Sequence, residues 1–343
     1  MSVTSELAKA SSKTSLWLAE HFDLSKPLAI LLQQTALFPP AIKPAPKYPY
    51  PYPWATVGHA VELRMDQAMG LNYADTPAPY GIGGATRELG VHDALDVLWR
   101  EMRQERNTSR SNAWVLFYAG VFEGFFYGGV PVKWEKQHYK AWQHLATSPE
   151  WMKFRSDSHR RGAPTPMVRD HPCVLDLAEL FPLNERVVDD IIAVTDATLS
   201  SRSWAEVMAQ KGDLNARPLF SGGKWINGAD GDFIIKHRLY DVKTTIDPAR
   251  LLPSGLAQLL CYVALDSKNR YQIDEMALYF PRQHGATAII SLEEVLKHSA
   301  FRTPAEMRRS IRTLLEPPLS PEIAARQEAL RLRKERLLRP SVG

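Results

Sequence analysis

The stretch 228–262 reads GADGDFIIKHRLYDVKTTIDPARLLPSGLAQLLCY, and its pattern sets the expected fold. Phe233-Ile234-Ile235 is a short β-branched and aromatic run. Leu239 to Thr245 is a second, with the polar turn Lys236-His237-Arg238 between them. The pair predicts a β-hairpin. Side chains on a strand alternate faces, so Asp241 and Lys243 share a face while Val242 points the other way. Asp230 and Asp232 share a face on the first strand, and a turn near His237 brings Asp232 roughly opposite Asp241. Two carboxylates and an ammonium then meet at one point. Such charge is costly to concentrate unless a metal or a substrate balances it.

Upstream of the hairpin the chain reads mainly as helices. Val57, Val61, Met65 and Ala68 recur at helical spacing, and His59, Glu62 and Asp66 share the polar face of that helix, with Arg64 nearby. Helices are predicted over 91–103 and 112–127, the second apolar enough to be buried. Glu123 is its lone acid and is expected to be a satisfied buried or edge residue rather than a catalytic one. Between 170 and 200 one or two more helices carry the stripe Val187, Val188, Ile191, Ile192 and Val194, with Asp189, Asp190 and Asp196 as their solvated side. From Trp204 to Gly223 the chain is expected to descend through a loop into the hairpin. Met276 to Phe280 and Thr287 to Ser291 read as further strands.

Several segments carry weaker signals. The glycine cluster Gly81, Gly83, Gly84 has no strand before it and reads as a loop rather than a phosphate cradle. The proline-tyrosine arm at 39–53 must be extended, because proline removes donors and fixes φ. Segment 133–161 mixes bases with aromatics, a composition that suits nucleic acid and equally suits amphipathic helices on a core. The stretch from Pro321 is a basic helix that could track a phosphate backbone, although a mixed-charge surface helix has the same composition.

Composition is that of an ordinary soluble globular protein, with 45% apolar and 23% charged residues and a formal charge of +4. That mild basic excess permits a polyanionic partner without requiring one. Cys173 and Cys261 form neither a CxxC nor a zinc spacing, which fits a reducing compartment. No secretory signal is read at the N-terminus, and the apolar run 113–122 is too short to span a bilayer. A cytoplasmic location and no membrane association are expected.

The chemistry follows from the hairpin. Carboxylates on adjacent strands hold Mg²⁺, a hard cation that prefers oxygen ligands. Bound metal lowers the pKa of water and clamps a departing oxygen, while a nearby lysine offsets charge in the transition state. Asp232 followed by Asp241-Val242-Lys243 supplies that arrangement, and Gln258 and Tyr262 follow four apart on one helix face. These three elements together resemble the PD-(D/E)XK nuclease superfamily in its RecB-type branch: a glycine-led strand ending in aspartate, then D-x-K, then Q-x-x-x-Y. Gly231 stands where the superfamily's name has proline, and Asp230 competes with Asp232 for the first metal position. The branch also places an acid or histidine four positions after a glycine on an upstream helix. Gly58 followed by Glu62 fits, with His59 as the substitute.

The resemblance implies an α/β restriction-endonuclease-like core, a central mixed sheet flanked by helices, with a large helical N-terminal elaboration. Expected boundaries are an N-terminal helical segment and arm over 1–54, a motif helix over 55–70, a helical insertion over 71–215, the catalytic core over 216–300 and basic helices over 301–343. It further implies a nuclease dependent on Mg²⁺ or Mn²⁺ and acting on DNA, with RNA as the other possible strand. Glu62, Asp232, Asp241 and the Val242 carbonyl would bind metal, and Lys243 would position water. Gln258, Tyr262, Arg64 and Arg282 would contact nucleic acid. Two cysteines exclude a four-cysteine iron–sulfur cluster, and no P-loop marks a fused motor. Two other readings of the same residues stand beside this one: an inactive nuclease-fold module that binds nucleic acid or a protein, and a surface ion-pair cluster on an unrelated hairpin.

Overall fold

The computed structural model describes residues 3–44, 54–76, 108–128, 185–226 and 228–317, together with positions 78, 96, 99 and 100. The arm beyond residue 44, the glycine cluster at 81–84, most of the helix expected at 91–103, the segment 133–161 and the basic helix from 321 lie outside the described residues.

A five-stranded mixed sheet organises the fold. Its strands are β1 (Leu214–Ala216), β2 (Phe233–Ile235), β3 (Arg238–Val242), β4 (Glu275–Phe280) and β5 (Ala286–Ser291), lying side by side in that order. Neighbours run antiparallel except β3 and β4, which are parallel. A parallel pair needs a crossover, and the helix Pro248–Leu265 supplies it. Asp247 caps that helix by accepting from the Arg250 amide, and Pro248 occupies its first turn, where no N–H is missed. Gly255 lets it settle on β4, because a Cβ there would come within 2.7 Å of Leu278.

The hairpin loop is one residue shorter than the three-residue turn expected. Ile235 pairs with Arg238, so Lys236 and His237 form the loop, and Arg238 belongs to the strand. Lys236 accommodates the turn with a positive φ of 54°. The second strand ends at Val242, although the Lys243 amide still donates to the Tyr279 carbonyl. The register extends to place Asp232 opposite Asp241, as the pattern predicts.

Both faces of the sheet are covered, which is why β2 and β3 are buried almost without interruption. Phe233, Ile235, Tyr240, Val242, Ala277 and Tyr279 face one core. That core is shared with the helices α4 (Trp54–Met69), α5 (Arg110–Gly128) and α6 (Glu185–Leu199). Ile234, Leu239, Met276, Leu278 and Phe280 face the other. There they meet the crossover helix, numbered α8, and the helices α1 (Val3–Leu7), α2 (Lys13–His21), α3 (Ser25–Thr35), α9 (Leu292–Leu296) and α10 (Pro304–Leu315). The period of two in the strands thus divides one sheet between two helical layers.

Three expectations are corrected here. A short helix α7 (Arg202–Ala209) and the edge strand β1 occupy the region expected to be a loop. Asp190 is not on a solvated side: it is buried and grips Arg282 through both carboxylate oxygens, at 2.7 and 2.5 Å. Arg282 is 2% exposed and also donates to the Ile42 carbonyl, so its guanidinium is committed to the interior rather than to a phosphate. Among the described residues, no helix is long and apolar enough to cross a membrane.

Candidate active site

The site forms at the carboxyl end of β3, where the two helical layers meet beyond the sheet. β3 delivers Asp241 on the α8 side, and Lys243 follows on the same side. Lys243 Nζ lies 2.6 Å from Asp241 Oδ2 and donates to Gln258 Oε1 at 3.0 Å. Gln258 in turn donates to the Tyr262 hydroxyl at 2.7 Å. These four side chains make one chain of contacts running from the strand into α8. Asp232, the residue just before β2, accepts the Val242 amide at 2.5 Å. The side chain of Asp241 is only 4% exposed, which separates this cluster from a surface ion-pair network.

Gln258 and Tyr262 are both buried. Through these hydrogen bonds they hold Lys243 from behind. Arg64 is also buried, in α4, with its guanidinium bonded to Gln67 and Thr108. A charged group this deep is retained by its partners, because desolvation without them would be prohibitive.

From the opposite layer α4 contributes His59, Glu62 and Asp66, and α5 contributes Glu123. Gly120 explains how closely the two helices approach. A Cβ at that position would lie 2.9 Å from the Thr56 carbonyl oxygen and 3.1 Å from the Ala60 nitrogen. One turn later on α5, Glu123 reaches donor atoms of His59 and Glu62, all three within 4.8 Å of one another. Arg217, just beyond β1, enters from the side. It bonds Asp66 at 2.7 and 2.8 Å and lies 3.0 Å from Glu123 Oε1. Arg217 sits at φ 50°, a left-handed conformation uncommon for a residue with a Cβ, while its amide donates to the Asp232 carbonyl. Backbone strain at such a position marks a side chain that the surroundings have aimed.

The electrostatics are lopsided. Glu62, Asp66, Glu123, Asp232 and Asp241 face one another across a volume in which Arg217 and Lys243 are the cations that lower their pKa values. Burial, with help from neighbouring carboxylates, pushes Glu123 up to about 8, and burial pushes Asp66 and Asp241 up to about 6. Glu62 is raised well above the carboxylate range by burial and by Asp232 and Glu123. Asp232 is raised by burial, against the pull of Arg217, Lys243 and the Val242 amide. Burial alone would lower Lys243, yet Asp241 and Asp232 hold it above its usual value, so it remains an ammonium. His59 is lowered to about 4 by burial and by the two cations, which leaves a neutral imidazole. Glu62, His59 and Lys243 each retain roughly a fifth of their side-chain surface (18%, 20% and 20%), so the cluster opens to solvent on that side.

The residues singled out in the sequence thus fall into two groups. Glu62, Asp232, Asp241 and Lys243 converge, while Arg64 and Arg282 lie in buried pairings of their own. Glu123, Asp66 and Arg217 belong to the cluster and escaped notice as site residues. Glu123 carried a legible signal, a single acid in the uncharged run Ala113–Phe122 and its continuation. Arg217 carried none beyond its place before Pro218. Comparison with known proteins adds no relative: no family model matches the chain, and neither a curated protein nor a solved structure matches it.

Proposed function

We propose that this chain is a divalent-metal-dependent nuclease that hydrolyses phosphodiester bonds in DNA, in keeping with its resemblance to the RecB-type branch of the PD-(D/E)XK superfamily. The observation that carries the proposal is the buried chain Asp241–Lys243–Gln258–Tyr262 with Asp232 set opposite it. An ion pair serving only the fold has no need of a glutamine and a tyrosine lined up behind its lysine.

The donor set fits a hard divalent cation. Glu62, Asp232 and Asp241 present carboxylate oxygens, and burial makes their ionisation costly, a cost that a bound dication would offset. These residues, with the Val242 carbonyl, would hold Mg²⁺ or Mn²⁺. Such an ion supplies a water of lowered pKa and a counter-charge for the departing oxygen. The protein's own groups do the rest. Lys243, fixed between Asp241 and Gln258, keeps one face toward solvent and places its ammonium where a phosphate oxygen gains charge. The Val242 amide holds Asp232 in one orientation, and Gln258 and Tyr262 remove rotational freedom from Lys243, so little reorganisation is left for the reaction.

The test uses the purified full chain with linear, circular and single-stranded DNA, and with RNA, in Mg²⁺, Mn²⁺ or EDTA. Asp241→Ala and Lys243→Ala are assayed beside it. Metal-dependent cleavage abolished in both variants is the expected result. Binding without cleavage in any metal points instead to a nuclease-fold binding module. Equal cleavage by wild type and both variants removes these residues from the chemistry.

A further inference from the structure

We propose that Glu123, together with His59 and Glu62, forms a second divalent-cation site beside the Asp232 and Asp241 set, with a preference for Mn²⁺-like transition ions over Mg²⁺. The inference deepens the nuclease reading, on which the neighbouring ion at Asp232 and Asp241 rests.

Three separate observations support it. The donors of His59, Glu62 and Glu123 lie within 4.8 Å of one another, from two helices locked together at Gly120. An ion about 2.0–2.1 Å from each donor needs only side-chain adjustment to close that set. Glu123 is fully buried, and its Oε2 accepts no hydrogen bond, whereas Oε1 faces Arg217. Buried carboxylate oxygens without a donor are rare, because desolvation leaves them uncompensated. Lastly, Arg217 is already engaged by Asp66, so its single positive charge is divided between Asp66 and Glu123.

The donor types decide which ion fits. One imidazole nitrogen and two carboxylates make a mixed set, and a nitrogen donor counts against magnesium, which takes oxygen ligands, more than against a first-row transition dication such as Mn²⁺. His59 offers a ring nitrogen to the set from the same helix as Glu62. Glu62 belongs to both sets, so the two ions would share it, as ions paired at about 3.5–4 Å can do.

Binding, rather than cleavage, provides the test. The full chain is stripped with EDTA, dialysed and titrated with Mn²⁺. Bound and free ion are separated by electron paramagnetic resonance, and affinity is measured by calorimetry. Wild type is expected to bind two Mn²⁺ ions. Glu123→Gln should bind one, and His59→Gln should weaken the same ion by at least about tenfold. Asp241→Asn should keep the Glu123-dependent ion and lose the other. Mg²⁺ should displace the Asp241-dependent Mn²⁺ at lower concentration than the Glu123-dependent one. Circular dichroism establishes that each variant is folded. Unchanged stoichiometry and affinity in both Glu123→Gln and His59→Gln overturn the second site. Equal displacement of both ions by Mg²⁺ overturns the selectivity. Loss of one ion in Glu123→Gln with no effect of Asp241→Asn upholds the second site while removing the metal set of the nuclease reading.

Discussion

Replacing Glu123 by glutamine changes one atom and removes one titration, so its effect on stability can be worked out in advance. In the folded chain burial and nearby carboxylates raise Glu123 from the ordinary 4.5 to about 8. Across that interval the folded protein holds a proton that the unfolded chain has released. Stability is therefore greatest on the acidic side and falls as pH rises through the folded value. One proton corresponds to about 1.4 kcal/mol per pH unit, which sets a ceiling of about 5 kcal/mol over the whole interval. Glu62 and Asp66 compete for the same protons and spread the titration, so the expected loss attributable to Glu123 between pH ~5 and pH ~8 is ~2–3 kcal/mol. The amide oxygen of glutamine can still accept from Arg217, so the variant keeps that contact while losing the charge. Urea unfolding of the metal-free protein at several pH values measures the slope. Glu123→Gln should flatten it by about 1 kcal/mol per pH unit and be the more stable protein at alkaline pH. Parallel stability-versus-pH curves for the two proteins would refute the claim that Glu123 carries a displaced titration in the folded state.

Other consequences follow from the same contacts. Gly120→Ala places a Cβ against the backbone of α4, at 2.9 Å from the Thr56 oxygen. Helix propensity alone would stabilise this change by about 1 kcal/mol, whereas overpacking should destabilise by about 1–3 kcal/mol; a raised melting temperature would contradict the close approach. Asp190→Asn leaves Arg282 buried without its counter-charge and should cost about 3–5 kcal/mol in urea unfolding. DNA affinity, measured where the variant is folded, should not move; a specific loss of affinity would return Arg282 to the binding surface. Gln258→Leu frees the Lys243 ammonium from its buried anchor, and cleavage should fall by about tenfold to a hundredfold with little change in DNA binding. Cleavage at the wild-type rate would show that Lys243 needs no support from α8.

Much of the fold could be read from local pattern. Phe233–Ile235, Met276–Phe280 and Thr287–Ser291 are strands because short β-branched and aromatic runs between turn residues have few alternatives. The register of Asp232 against Asp241 follows from a short turn and period-two alternation, both local properties. What could not be read was the edge. β1 is three residues long, and its strand character comes from pairing with β2 rather than from its own sequence, Leu-Asn-Ala. Asp190 was assigned to solvent because its own helix gives it a polar neighbourhood. Only the approach of Arg282, 92 positions away in sequence, makes it a core residue.

The candidate site divides along the same line. Asp232, Asp241, Lys243, Gln258 and Tyr262 lie within one stretch, and strand alternation with helix spacing suffices to bring them to one place. Sequence alone therefore determined the hairpin, the crossover helix and the residues they carry. Tertiary structure decided what surrounds them: that Glu123 meets Glu62 and His59, that Arg217 braces Asp66, and that Gln258 and Tyr262 lie behind the lysine rather than facing outward. The physical reason is that these contacts depend on how two helices pack across the end of a sheet. That packing is set by a missing Cβ at Gly120 and by the balance of buried charge, neither of which leaves a periodic mark in the chain.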